Sequence, residues 1–223
     1  MHEEDLENAI KDYRFLLSRK YSRKAGLKLV GDRYMLSREQ RSILYRGVSE
    51  ACAAGSRKSK IAGIPREKRI YIDTYNILFT IGNYLNGRPV FISDDGFLRD
   101  AGELHGRFTR KKLLGRIVEM LYDFFREYIR NEYILFIDKP VSNSGTLANE
   151  INTFFRKNGI RGYAETCDSP DHQIIKYASS GDIICSSDSI IIDQAACPVF
   201  DLSHHLINMN FQPEVMDVRD FMD

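Results

Sequence analysis

The spacing of apolar residues divides the chain into a helical first part and a longer second part in which strands alternate with helices. Over residues 4–48, apolar positions such as Leu6 and Ile10 recur at helical spacing and predict three short helices packed as a small bundle. The third helix is predicted to begin at Ser37, because Ser37-Arg38-Glu39-Gln40 has the pattern of a capping box in front of an apolar segment.

Residues 51–68 interrupt the helical spacing. The run Ala53-Ala54-Gly55-Ser56-Arg57-Lys58-Ser59-Lys60 is rich in small and basic residues, and Pro65 follows shortly after it. This composition predicts a partly mobile linker between the helical part and the rest of the chain.

From residue 69 onward, short apolar segments alternate with amphipathic ones. The predicted strands cover residues 69–72, 90–92, 133–137, 162–166, 183–185 and 199–201, and the predicted helices cover residues 109–130, 146–157, 170–178 and 190–196. This alternation predicts an α/β domain with a mainly parallel sheet covered by helices on both faces. We therefore divide the chain into a basic helical module with its linker (1–62), an α/β domain (63–208) and an acidic tail that should fray (209–223).

The distribution of charge suggests that the two parts have different tasks. Residues 1–60 contain 14 lysines and arginines against 8 aspartates and glutamates, whereas residues 61–223 contain 18 against 23. A basic segment can contact phosphate groups, and an acidic one can hold metal ions.

Other features of the sequence bear on the compartment. No apolar run approaches the roughly 18 residues that a membrane span requires, and the chain begins with the acidic Met-His-Glu-Glu-Asp, unlike a signal peptide. The four cysteines form no CxxC pair, which is typical of reduced structural thiols. We therefore expect a soluble cytoplasmic protein without a membrane partner.

Three predicted strands run into aspartates. Asp73 and Asp138 follow their strands directly, and Asp188 follows within a short loop. Because parallel strands end at the same edge of a sheet, these carboxylates should lie together, and a hard dication such as Mg²⁺ or Mn²⁺ would relieve their repulsion. The alternative is that each aspartate caps the helix that follows it.

Polar residues near these aspartates are candidates for binding substrate. Asn76 follows Asp73 by three residues and could position a water molecule or a phosphate oxygen, or cap the helix that begins there. Ser142 and Ser144 belong to a polar loop after Asp138 whose backbone N–H groups could bind a phosphate, or form a plain helix cap.

The helical module carries a cluster of basic side chains between its first and second predicted helices. The candidates for contact with phosphates are Arg19, Lys20, Arg23 and Lys24. A solvated basic face with no ligand is the alternative.

The segment Ile72-Asp73-Thr74-Tyr75-Asn76 resembles the first-strand motif of the PIN-like nuclease superfamily, in particular its NYN branch. Asp138 resembles the aspartate of the family's central strand, and Ser187-Asp188 resembles its late Ser/Thr-Asp motif. Asp171 lies where NYN proteins carry an acidic segment that opens a helix, so the resemblance makes it a fourth acid. The similarity spans roughly residues 68–205, and the whole chain is similar to a prokaryotic family of uncharacterised proteins that joins a basic helical segment to such a domain.

The resemblance implies a Rossmann-like sheet, Mg²⁺ or Mn²⁺ and hydrolysis of RNA, with Asp73, Asp138 and Asp188 holding the metal. The chain departs from the family pattern in two places. Thr74 stands where glycine is common, and no single residue matches the acid that many members carry after the second strand. The candidates for that acid are Asp94, Asp95, Asp100 and Glu103, in a segment that could also be a plain turn with an Arg99–Asp100 surface pair. Asp95 and Ser187 are counted among the possible substrate contacts.

Three functions remain open from the sequence. The first is a metal-dependent ribonuclease in which Asp73, Asp138, Asp171 and Asp188, with Asn76, perform the chemistry. The second is a non-catalytic RNA-binding or scaffolding protein. The third is a phosphatase that acts on a small phosphorylated molecule. An aspartate nucleophile for it is disfavoured, because Thr74-Tyr75 follows Asp73 and no Asp-x-Asp pattern follows the first strand. RNA is the expected partner, and the protein could form a homo-oligomer.

Overall fold

Helices dominate the N-terminal part of the computed structural model, which describes residues 3–102 and 111–222. The bundle consists of α1 (Glu3–Ser18), α2 (Arg23–Arg33) and α3 (Arg38–Gly47), as predicted. The capping box at the start of α3 is present, since Ser37 Oγ accepts a hydrogen bond from Gln40 N at 3.2 Å and Gln40 Oε1 accepts one from Ser37 N at 3.0 Å.

The predicted mobile linker is instead ordered and packed. Helix α4 (Ala51–Lys58) occupies its first eight residues, and Arg57 is buried. Beyond α4, Lys60 donates hydrogen bonds to the carbonyls of Ile192 and Ala195, and Ile61 forms a bridge with Val199. The prediction failed because the basic residues of this segment find partners that are remote in sequence.

The structure has the predicted α/β class. The strands are β1 (Arg69–Asp73), β2 (Val90–Ile92), β3 (Leu98–Asp100), β4 (Glu132–Asp138), β5 (Arg161–Cys167), β6 (Ile183–Cys185) and β7 (Met216–Asp217). Four of them form a parallel sheet in the order β5-β4-β1-β6. The other three form a small mixed sheet in the order β3-β2-β7, so β2 does not belong to the main sheet.

Helices cover both faces of the parallel sheet. They are α5 (Thr74–Leu85), α6 (Lys111–Glu127), α7 (Ser144–Asn158), α8 (Pro170–Tyr177), α9 (Ser189–Gln194) and α10 (Leu202–Phe211). Ile70 and Ile72 of β1 pack in one apolar cluster with α5, α6, α7 and α10, whereas Tyr71 packs in a second cluster with α8 and α9. Alternate residues of the strand thus face opposite layers, which gives a three-layer domain.

Several observed elements differ from the predicted ones. Neither β3, β7 nor α10 has a predicted counterpart, and the predicted strand at 199–201 is present only as bridges of Val199 with Ile61 and Ile184. The tail is ordered as far as residue 222, contrary to the prediction that it frays, because β7 pairs with β2 and the 3-10 helix Val218–Phe221 buries Val218. Thr109 and Arg110, at the start of the predicted helix 109–130, lie outside the described residues.

The helical module packs directly against the small sheet. Ile10 and Leu44 of the bundle share one buried cluster with Phe91 of β2 and Val218 of the tail. Gly47, at the end of α3, allows this close approach, because a Cβ atom there would lie 2.7 Å from the Phe91 ring. Among the described residues, none of the helices has the length and apolar character needed to cross a lipid bilayer.

Candidate active site

The carboxyl ends of three parallel strands bring the predicted aspartates to one edge of the sheet. Asp73 ends β1 and pairs in register with Phe136, and β4 continues for two residues to Asp138. On the other side of β1, Ile72 pairs with Cys185 at the end of β6, so the loop with Ser186 and Asp188 begins beside Asp73. Ser186 Oγ donates a hydrogen bond of 2.9 Å to Asp73 Oδ2.

Asp73 lies at the centre of a group of like charges. Its side chain is buried, and burial together with the negative charges of Asp171, Asp188 and Asp138 raises its pKa to about 8. Burial is also the largest cause that raises the pKa of Asp138 and of Asp171, and Asp188 and Asp138 add to the shift at Asp171. The structure therefore brings all four predicted acids within range of mutual repulsion.

The capping alternative applies to some of these aspartates and not to others. Asp73 makes no side-chain capping bond to α5, although it is the residue at the N-cap position. Asp188 does cap α9, with Oδ1 accepting from Ile190 N at 2.6 Å. Asp201, another aspartate near the sheet edge, uses both oxygens on the amides of Leu98 and His204. Capping thus explains Asp201 fully, Asp188 in part and Asp73 not at all.

The donor set at this edge has the chemistry of a site for a hard dication. Its members are carboxylates, the ligands that Mg²⁺ and Mn²⁺ prefer, and their mutual repulsion favours a bound cation. The side chains do not form a complete metal site. Within residues 3–102 and 111–222, no three His, Cys, Asp or Glu residues are grouped closely enough to hold a metal ion. A cation would have to draw the carboxylates together.

The free energy of unfolding of the metal-free protein should fall as the pH rises from about 4 to about 8. Over this range folded Asp73 retains a proton, because its pKa is about 8, whereas the unfolded chain, with the ordinary value of 3.8, has released it. This stabilisation is fully present below the unfolded pKa and is lost as the pH passes through the folded one. Urea unfolding in EDTA at several pH values should show a shallower decline for Asp73→Asn, and equal slopes would contradict the shifted pKa.

Asn76 positions the loop that carries Asp188. Its Oδ1 accepts hydrogen bonds from Ser187 N at 2.9 Å and from Ser187 Oγ at 3.1 Å, so it neither caps α5 nor leaves this oxygen open for substrate. Ser187 is buried and lines the neighbouring cleft, but its N–H and its hydroxyl both donate to Asn76. The Asn76 Nδ2 group has no hydrogen-bond partner among the described residues and is available as a donor.

Asp95 is not a substrate contact, contrary to the prediction. It is fully buried, and its two oxygens lie 2.9 and 2.7 Å from the guanidinium nitrogens of Arg99, with Arg57 Nη1 at 3.4 Å. Burial alone would raise the pKa of Asp95, but the charge and hydrogen bonds of Arg99 outweigh burial and lower it. Arg57 also pairs with Asp193, at 2.6 and 2.7 Å.

The other acids of this segment also have internal partners. Asp94 accepts a hydrogen bond from Ser49 N, and Asp100 accepts from Arg46 and Asn83, so neither joins the aspartate cluster. Glu103 lies outside the described residues. The alternative of an Arg99–Asp100 surface pair does not hold either, since Arg99 is buried and pairs with Asp95.

Arg99 and Ser186 are residues of the site that the sequence analysis missed. Arg99 Nε donates to the carbonyl of Ser187 at 3.2 Å and so connects the buried ion pair to the loop of Asp188. The four-residue spacing of Asp95 and Arg99 was the available signal, but β3 and its turn were not predicted. Ser186 follows the apolar strand β6 and gave no signal of its own.

The polar loop after Asp138 offers less than predicted. Ser144 is buried, its hydroxyl donates to the Lys139 carbonyl at 3.2 Å and its amide donates to the Val141 carbonyl at 3.2 Å. The prediction of substrate binding by Ser144 is therefore wrong, because both of its donors are used. Ser142 is exposed and remains open to solvent.

A cleft of about 410 Å³ separates the helical module from the edge of the sheet, and of the predicted basic contacts only Arg23 lines it. Its walls come from the module, the small sheet and the loop of Asp188, and include Tyr45, Arg46, Arg57, Asn76, Arg99 and Asp188. Arg19 lies over the Phe15 ring and Lys20 pairs with Glu50. Lys24 is exposed. The predicted basic cluster therefore does not act as one surface.

The fold and the site define an α/β protein with an aspartate cluster at the carboxyl edge of a parallel sheet and a helical module packed beside it. Residues 64–205 match the family described as Domain of unknown function (DUF5616), and residues 5–60 match the one described as Protein of unknown function (DUF434). Since the first match covers more than half of the chain, the protein belongs to the DUF5616 family.

The chain is also similar to a second protein along most of its length. The chain is 25% identical over 189 residues to the "Uncharacterized protein MJ0935" of Methanocaldococcus jannaschii. The aligned region covers 84% of this chain and 88% of that protein. No solved structure matches the chain significantly.

Proposed function

We propose that the protein is a metal-dependent ribonuclease whose reaction centre is the aspartate cluster at the edge of the parallel sheet. The observation that carries the proposal is the buried Asp73 carboxyl, which makes no capping bond and whose pKa is raised to about 8 by burial and by three further carboxylates. Such an arrangement is costly for the folded protein without a cation, and perturbed carboxylates of this kind cluster at functional sites. The resemblance to PIN-like nucleases supports the same function.

The four aspartates and Asn76 have different roles in the proposed hydrolysis of a phosphodiester. Asp73, Asp138 and Asp188 would hold Mg²⁺ or Mn²⁺, which supplies Lewis-acid activation of water and neutralises charge on the phosphodiester. Asp171, whose pKa is raised by burial and by its acidic neighbours, accepts a proton from the attacking water. Asn76 Nδ2 donates a hydrogen bond to a phosphate oxygen, while its Oδ1 keeps the loop of Asp188 in place.

Binding of Mn²⁺ should raise the melting temperature of the protein. A ligand that binds only the folded state at about ten times its Kd adds about 1.4 kcal/mol, which for a chain of this size corresponds to a shift of roughly 3–6 °C. Thermal unfolding should therefore be compared in EDTA and in millimolar Mn²⁺. Asp168→Asn, which removes an exposed aspartate close in sequence to Asp171, should keep the shift, and Asp73→Asn should lose it. The absence of a shift in the wild-type protein would contradict the metal site.

A second candidate function is RNA binding or scaffolding without catalysis. It is favoured by the spacing of the acids, since no group of three metal-ligating side chains is formed within the described part of the chain. The same melting experiment separates the two proposals. RNA binding without any Mn²⁺ effect would favour the second.

The proposal places the protein in the cytoplasm with RNA as its partner. All four cysteines are free thiols, and two of them are buried, which agrees with a reducing compartment.

A further inference from the structure

The cleft between the helical module and the sheet edge has the size of a ligand site, and Asp188 of the aspartate cluster lies in its wall. Its volume is about 410 Å³, within the range of small-ligand pockets. Arg23 and Tyr45 line it from the module, and Asn76 and Asp188 line it from the α/β domain. A ligand in this cleft would touch both parts of the protein at once.

Most of the positive charge in the cleft is already neutralised. Arg57 pairs with Asp95 and Asp193, and Arg99 pairs with Asp95. Arg46 pairs with Asp100 at 2.9 Å. These arginines are therefore poor candidates for binding a further anion.

Arg23 differs from the other arginines because no carboxylate pairs with it among the described residues. Its guanidinium donates hydrogen bonds to the carbonyls of Tyr45 and Val48, and it lies over the Tyr45 ring at 5.0 Å from the centroid. Neutral carbonyls and an aromatic ring orient the group without cancelling its charge. Arg23 is thus a positioned cation on the wall of the cleft.

Tyr45 adds an aromatic surface next to this cation. The residue is 39% exposed and lines the cleft. Proteins that bind single-stranded RNA combine a cationic group for the phosphate with an aromatic ring or an arginine plane on which a base stacks. Arg23 supplies the cationic group and Tyr45 supplies the aromatic ring, and the two side chains are in contact.

We propose that Arg23 and Tyr45 bind one nucleotide of single-stranded RNA, with the phosphate on Arg23 and the base stacked on Tyr45, beside the aspartate cluster. The helical module then forms one wall of the substrate channel and does not act as a separate RNA-binding unit. This inference rests on the proposed function for its choice of RNA as the ligand.

Binding of a fluorescent oligouridylate to the full-length protein in EDTA tests the inference, because no metal-dependent cleavage occurs there. Arg23→Gln should weaken binding about tenfold and lower the slope of log Kd against log salt by about one. Tyr45→Leu should weaken binding by about five- to tenfold through loss of stacking, with little change in the salt slope. Arg33→Gln is the matched control, since Arg33 also lies over a tyrosine ring, that of Tyr34 at 5.4 Å, but outside the cleft.

Two results would overturn the inference. One is that the wild-type protein shows no saturable binding, and the other is that Arg23→Gln and Tyr45→Leu bind as tightly as Arg33→Gln. If Arg23→Gln proves too unstable to measure, Tyr45→Leu decides the matter alone. Cleavage of the same RNA in Mn²⁺ is measured separately, so binding that depends on Arg23 without cleavage would reject the nuclease and retain this site.

Discussion

Replacement of Asp73 by asparagine should lower the rate of Mn²⁺-dependent RNA cleavage by at least about 100-fold, while the metal-free protein becomes more stable. The loss follows from the proposed role of Asp73 as a central metal ligand, since single groups that stabilise charge in the transition state contribute factors of this order. The gain in stability follows from the removal of a buried carboxyl whose pKa is raised to about 8. We expect it to be about 1–3 kcal/mol at neutral pH, somewhat less than the pKa shift implies because the new amide has unpaired N–H groups.

The opposite directions of the two effects make this test specific. Single-turnover cleavage of labelled RNA and urea unfolding in EDTA measure them on the same preparations. Asp168→Asn is the control for the loss of one aspartate at this end of the molecule, because that side chain is 85% exposed, and it should change neither quantity appreciably. Undiminished cleavage by Asp73→Asn would point to a contaminant or a different site, and a marked loss of stability would show that Asp73 is structural.

Replacement of Asp95 by alanine should destabilise the protein by about 3–5 kcal/mol. Asp95 is fully buried between Arg99 and Arg57, which are themselves buried. Its removal takes away the carboxylate that pairs with Arg99, whereas Arg57 keeps its pair with Asp193. Breaking a buried ion pair by removing one partner has a cost of this order, because the remaining charge is neither hydrated nor compensated. Urea or guanidinium unfolding, followed by circular dichroism, measures the difference in the free energy of unfolding.

A surface ion pair provides the comparison for Asp95. Glu7 and Lys11 lie one turn apart on α1 with 41% of each side chain exposed, and Glu7→Ala should cost less than about 1 kcal/mol. A cost below about 1 kcal/mol for Asp95→Ala as well would mean that water or another group compensates the arginines. Because Arg99 also holds the Ser187 carbonyl, Asp95→Ala should in addition loosen the loop of Asp188.

The sequence alone predicts the features that depend on local spacing. The helical bundle and the capping box at Ser37 follow from periodicity and a four-residue pattern, and both are confirmed. The parallel α/β class follows from the alternation of short apolar strands with helices. The same alternation places Asp73 and Asp138 at one edge of the sheet, because the ends of parallel strands coincide whatever the details of packing.

Local patterns could not show which polar residues would find remote partners. The basic segment with Arg57 resembles a mobile linker in composition, but in the structure it forms a helix whose Arg57 pairs with the remote Asp95 and Asp193. The acidic segment with Asp94 and Asp95 has the composition of a metal or substrate site. In the fold, however, Asp94 accepts a hydrogen bond from the Ser49 amide and Asp95 pairs with Arg99.

The sequence by itself therefore determined the class of fold, the helical module and the strand ends that carry the aspartates. Only the tertiary structure decided that the Asp73 side chain makes no capping hydrogen bond, that Asp95 is a buried counter-ion and that Arg23 faces the cleft. The physical reason is that hydrophobic periodicity is set by neighbours along one element, whereas the partner of a charged group depends on which segments burial brings together.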